Sequence, residues 1–128
     1  MNKIDVQFQK LVDWAQLPAY ETTGAAGCDL SLALREEIVL YPHEVQNIST
    51  GFAMRIPDGY EAQIRSRAGM ARKGIIVANA PGTIDADHLG EVKVLLVNIG
   101  NKPIKVVPGQ KVAQMVFSPV VKAQFHEA

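Results

Sequence analysis

Apolar and polar residues alternate with a period of two along much of the chain. Ile4, Val6 and Phe8 alternate with Asp5, Gln7 and Gln9, and the same spacing returns in Leu30, Leu32 and Leu34. It returns again in Phe52, Met54 and Ile56, in Tyr60, Ala62 and Ile64, and in Val92, Val94 and Leu96. Such spacing puts every second side chain on one face, as in a strand with one wet side. Short segments at 38–40, 45–48, 75–77, 104–107 and 112–117, each begun and ended by apolar residues, add further short strands. Pro57-Asp58-Gly59 predicts a tight β-hairpin joining 52–56 to 60–64, and Tyr41-Pro42-His43-Glu44 predicts a turn that takes His43 with it. Only Arg65 to Gly74 sets good helix formers between glycines, so one short helix is expected there. Many short strands, little helix and frequent Pro/Gly turns predict an all-β sandwich or barrel, in a single domain over 1–128.

Polar and turn-forming residues concentrate between two of the apolar runs, from Asn79 to Val92. Pro81 and Gly82 interrupt the run at 75–77, and Gly90 suits the positive φ that closes a turn before Val92 resumes the alternation. The stretch predicts a loop and hairpin tip displaying Asp85, Asp87 and Glu91 on a braced element that could hold a small ligand and position a water. A calcium loop does not fit: counting from Asp85, Leu89 falls at a ligand position and Leu96 where a bidentate Glu is needed.

Composition narrows the picture. Lys plus Arg equal Asp plus Glu at 13 each, so no global field draws the protein to nucleic acid or an anionic membrane, and an anion site has to be local. The best local candidate is the predicted helix segment, whose four cations lie beside Gly69 and a helix start. No Gly-Lys-Ser/Thr follows a glycine-rich run, so it is not a Walker loop. No apolar stretch approaches a membrane span, and Cys28 is alone; both fit a cytoplasmic, reducing setting with Cys28 as a small buried residue. The small residues at 24–27 allow close backbone approach beside Asp29, and Gln114 is the one amide in the last apolar run, expected as a satisfied core or edge residue.

Taken together, Leu17-Pro18-Ala19-Tyr20 with Gly24 to Leu30, Arg67-Ala68-Gly69-Met70-Ala71, Asn79 to Glu91, and Gly109 to Gln114 resemble, in order and spacing, four motifs of the trimeric dUTP pyrophosphatases (dUTPases). The resemblance implies a β-clip, jelly-roll-like fold with one short helix, assembled as a homotrimer with active sites at subunit interfaces. It implies dUTP or a related deoxynucleotide as ligand, with Mg²⁺, and hydrolysis to dUMP and pyrophosphate. By the same resemblance Asn79 and the backbone of Gly82, Thr83 and Ile84 hold the uracil, His88 stands at the deoxyribose, and Asp85 activates the attacking water. Arg67, the Gly69 backbone and Gln114 hold phosphate oxygens, with Ala68 beside them, and Asp29 reaches the water shell of the metal.

The departures from the family pattern fall at the chemistry. Ala68 replaces the usual Ser, His88 an aromatic Tyr, Leu89 a common Arg and Lys111 an Arg, and the glycine-rich C-terminal arm is not found before Ala128. The sequence therefore predicts a weakened dUTPase. The alternative is a non-catalytic trimer of this fold, either a nucleotide-sensing regulator or an altered assembly scaffold.

Overall fold

A computed structural model describes residues 2–128. The alternation of the sequence becomes an alternation of burial. Along β9 (Glu91–Asn98), Val92, Val94 and Leu96 are buried while Lys93 is exposed. Strand β1 (Gln7–Lys10), β5 (Val45–Arg55), β9 and β7 (Ile75–Val77) form an antiparallel sheet in the order β1-β5-β9-β7. A second antiparallel sheet runs β2-β3-β11-β6-β8, built from β2 (Ala19–Tyr20), β3 (Cys28–Ser31), β11 (Lys111–Pro119), β6 (Tyr60–Arg65) and β8 (Gly82–Ile84). Strands β4 (Ile38–Leu40) and β10 (Ile104–Val106) pair as a separate ribbon. Leu30, Ile64 and Met115 from one sheet and Phe52, Val94 and Leu96 from the other belong to one buried cluster. Each large side chain withdrawn from water there contributes roughly 1.5–3 kcal/mol. The all-β class and the single short helix, α1 (Ala68–Arg72), agree with the sequence reading.

Partnership differs from the expectation at one place. Residues 52–56 and 60–64 are not a hairpin, because β5 pairs with β1 and β9 whereas β6 pairs with β11 and β8. The turn at Pro57-Asp58-Gly59, closed by Tyr60 N–H donating to Pro57 O (3.3 Å), carries the chain from one sheet to the other. Period-two patterning reports which face a side chain takes, and nothing about which strand lies alongside. Smaller differences are at element ends: the first strand begins at Gln7, and β3 stops at Ser31, before the exposed Leu34. His43 belongs to its turn, with φ 64° and its N–H donating to Asn98 O (2.7 Å). Among the described residues no helix is long and apolar enough to cross a membrane.

The stretch from Asn79 to Val92 is a hairpin tip of unusual width. Its base is the pairing of β7 with β9, in which Ile75, Ile76 and Val77 face Asn98, Val97 and Leu96. Between these strands the chain crosses to the other sheet, where β8 adds an edge beside β6, Ala62 facing Ile84 and Ile64 facing Gly82. The tip then returns through Gly90, at φ 120°, into β9.

Candidate functional site

The site is built in two parts. In the first, a cleft of about 320 Å³ opens between the edge strand β8 and the sheet carrying β5 and β9. Asn79, Gly82, Thr83, Ile84 and His88 line it, five of the residues expected to hold a nucleoside. Because β8 is an edge strand, one row of its backbone groups has no neighbouring strand, a ready set of donors and acceptors for a planar amide ligand. Asn79 crowds Gly82, whose added Cβ would lie 3.1 Å from Asn79 Nδ2, so the backbone and this amide are held close together. The other wall is formed by Glu91 together with Asn47, Lys93 and Leu95, three residues that the sequence did not point to. Their arrival depends on the pairing of β5 with β9, which no local motif announces.

In the second part, β3, β11 and the loop before α1 gather charge. Asp29 stands opposite Gln114 in the pairing of β3 with β11, and Gln114 stands opposite Arg65 of β6. Arg67 Nε donates to Asp29 Oδ1 at 2.9 Å, and Lys111 Nζ lies 3.3 Å from Asp29 Oδ2. The Asp29 side chain is only 10% exposed, so the ion pair with Arg67, itself 25% exposed, is partly desolvated and holds the guanidinium in place. Gln114 Nε2 donates to Ser66 O (3.0 Å), and Ser66 Oγ accepts from Val77 N–H (2.9 Å). These bonds tie the loop before α1 to both sheets. Gly27 packs against Gln114 so closely that any Cβ would collide with its amide, which is the close approach foreseen for the small residues at 24–27. Gln114 is therefore satisfied, as expected, and it sits on the central strand of its sheet, with neighbours on both sides.

Ala68 and Gly69 are exposed at the start of α1, which has no side-chain cap at Arg67, and a Cβ at Gly69 would meet nothing within 4 Å. First-turn N–H groups of an uncapped helix are left for solvent or a ligand. Ser66 and Lys111 are the functional neighbours the sequence reading did not assign roles: each acts through a partner far away in sequence.

The structure does not unite these parts within one chain. Arg67 and Gln114 do not line the 320 Å³ cleft. Asp85, although it directly follows β8, lines a different cleft of about 580 Å³ with Asp58, Glu61, Asp87 and Lys122. Glu91 departs from the expectation that it is displayed with Asp85 and Asp87: its carboxylate turns onto β5, accepting from Ser49 Oγ (2.7 Å) and Gly51 N–H (2.8 Å).

Cys28 is buried, its Sγ–H donating to Met115 O (3.3 Å), and burial pushes the thiol up from its ordinary range, so it is neutral and no nucleophile at neutral pH. Burial likewise raises the nearby Tyr20 hydroxyl. Among the described residues no three His, Cys, Asp or Glu side chains gather as a metal cage, and both oxygens of Asp29 face cations. This donor set fits a hydrated Mg²⁺ carried by a ligand's phosphates, with Asp29 within reach of its water shell at most.

The dUTPase family model matches residues 13–128. A deoxyuridine 5'-triphosphate nucleotidohydrolase of Beijerinckia indica is 51% identical over 114 residues, 87% of this chain and 71% of that protein. One from Hydrogenobaculum sp. is 47% identical over 121 residues, 94% of this chain and 83% of that protein. Among solved structures, a dUTPase from phage phi11 of S. aureus, studied for its coordination of a structural Mg(II) ion, superposes with a TM-score of 0.88 at 24% identity, covering 98% of this chain and 97% of that one. A Staphylococcus bacteriophage 80alpha dUTPase with dUpNHpp gives a TM-score of 0.86 at 24% identity, covering 98% and 89%. At that identity the structural likeness speaks for the fold.

Proposed function

The chain belongs to the dUTPase family, and from that membership we infer that it hydrolyses dUTP to dUMP and pyrophosphate. The observation that carries this reading is the cleft lined by Asn79, Gly82, Thr83 and Ile84, with Asp85 as the next residue along the chain. Uracil has a planar edge of alternating acceptors and donor, and the free edge of β8 with the Asn79 amide offers the complementary groups. His88, which also lines this cleft, would pack on the sugar. Asp85 holds a water in line with the α-phosphorus and accepts its proton as the water oxygen bonds to phosphorus. The bond from the α-phosphorus to the bridging oxygen breaks, and pyrophosphate leaves with the electron pair. Arg67, the Gly69 backbone and Gln114 hold the phosphate oxygens, and Asp29, acting on Arg67, keeps the guanidinium fixed. Were Mg²⁺ to accompany the triphosphate, Asp29 would be the residue to reach its water shell, and the ion would supply charge neutralisation.

Base cleft and cation cluster lie apart in one chain, which supports a homotrimer in which the cleft of one copy meets Arg67 and Gln114 of another. Ala68 leaves that cluster one hydroxyl short and lowers the rate. No observation favours the non-catalytic alternative, since Asp85, Arg67 and Gln114 are all present and the last two are braced.

Pyrophosphate release from dUTP tests this directly. Asp85→Asn keeps the shape and removes the base, and should lower kcat by roughly a hundredfold or more, the scale of a lost general base. Release at the parent rate would overturn the role given to Asp85, and no release by the parent chain would overturn the function.

A further inference from the structure

We propose that Glu91 is a positioning residue for this hydrolysis: its carboxylate, clamped on an irregularity in β5, fixes the exit of the hairpin tip that carries Asp85 and His88. The proposal rests on the dUTPase reading above and adds a residue to it.

The pairing of β5 with β9 runs regularly from Val45 opposite Val97 to Ser49 opposite Lys93, then shifts, so that Ala53 faces Glu91. Three residues of β5, Thr50, Gly51 and Phe52, thus span the place of Val92 alone. Gly51 sits in this bulge at φ 74°, and it is held on three sides. Its N–H donates to Glu91 Oε2 (2.8 Å), its carbonyl accepts from Leu11 N–H (2.8 Å), and an added Cβ would lie 2.7 Å from Val12 Cγ2 and 2.9 Å from Ala33 Cβ. Thr50 Oγ1 donates to Val92 O from the same bulge, and Ser49 Oγ donates to the same Glu91 oxygen (2.7 Å). A carboxylate accepting an N–H and an O–H is a strong, directional anchor.

Glu91 is the first residue of β9 and follows Gly90, whose positive φ turns the tip back. Its backbone carbonyl lies 3.4 Å from His88 Nε2, and His88 N–H donates to Asp85 O (3.1 Å). One contiguous path therefore runs from the bulge through Glu91 to His88 and Asp85. The tip has no strand of its own between β8 and β9, so its return point is set by this anchor. A displacement of about 1 Å at a reacting group is enough to lower a rate about a hundredfold.

The test is steady-state hydrolysis of dUTP by the parent, Glu91→Ala, Glu91→Gln, Ser49→Ala and the Glu91→Ala/Ser49→Ala pair, with kcat normalised to sites counted by calorimetric binding of dUMP. A merely structural residue reduces the number of competent sites and leaves kcat per site unchanged. We expect Glu91→Ala to lower kcat per site ten- to a hundredfold with a smaller change in KM. Glu91→Gln, which keeps an acceptor oxygen, should recover to within about fivefold of the parent, and Ser49→Ala should lower kcat per site by a few-fold. The double variant should be no worse than Glu91→Ala. Parent kcat per site in both Glu91→Ala and Ser49→Ala, or independent multiplication of the two losses, would overturn the proposal. Ser49→Ala keeps the test decisive should Glu91→Ala not fold: parent kcat per site in that variant would then overturn it. Hydrolysis by the parent chain is measured first, so that loss of the dUTPase reading is seen separately.

Discussion

Ala68 stands where a hydroxyl would join the charged cluster of the proposed site. It is exposed at the first position of α1, next to Arg67, whose guanidinium is fixed by Asp29. A hydroxyl there would add a donor to a cluster that already offers a cation and an uncapped helix start. A donor aimed at charge that develops only in the transition state is worth on the order of 3 kcal/mol, about two powers of ten in rate. Ala68→Ser should therefore raise kcat for dUTP by roughly ten- to a thousandfold while KM moves less, because the gain falls on the transition state. Full kinetic curves for the two proteins check this. An unchanged kcat would mean that position 68 does not face the reacting phosphates. Lys111 is a milder departure, since its ammonium still reaches Asp29 at 3.3 Å, though as a point charge without the planar fork of an Arg.

At the scale of elements, the bulge in β5 is the joint on which the site stands. Gly51 there combines a positive φ with space already filled by Val12, Ala33 and Ala15. Gly51→Ala should destabilise the protein by about 2–5 kcal/mol, the sum of a left-handed backbone penalty and overpacking against side chains with little room to yield. Denaturant unfolding at a fixed protein concentration measures it, and an unshifted midpoint would show that the bulge relaxes freely. Most strand positions, the helix and the turn at Gly90 were legible in the sequence because each follows from local periodicity or from one residue's conformational range, whereas β2 and β8 carry no such signal, and β8 lies in the stretch expected as a loop and hairpin tip. The hairpin expected across Pro57-Asp58-Gly59 was not, since a turn between sheets and a turn within one use the same residues. The site divides along the same line. Asn79, Gly82, Ile84 and His88 gather in one cleft because they lie on one short segment, so motif order sufficed. The orientation of Glu91 and the roles of Ser66, Asn47 and Lys111 arise from partners distant in sequence, which no spacing reveals.

For the whole molecule, we propose that each active site is shared between copies. The nucleoside cleft and the Asp29–Arg67–Lys111–Gln114 cluster occupy different parts of one chain, and Asp85 faces a cleft lined by neither group. Under this proposal a second copy brings the phosphates and the base together. Complementation between disabled chains measures this most directly. Asp85→Asn lacks the base and Arg67→Ala lacks the phosphate cation, so each alone should release pyrophosphate at about a hundredth of the parent rate or less. Mixed at equal amounts and allowed to exchange subunits, they should form sites pairing an intact Asp85 with an intact Arg67. Random assembly makes these about a quarter of all sites, and the mixture should recover about that share of the parent activity. A mixture that exchanges subunits, followed by mass spectrometry, yet stays at the level of the separate variants would contradict the shared site.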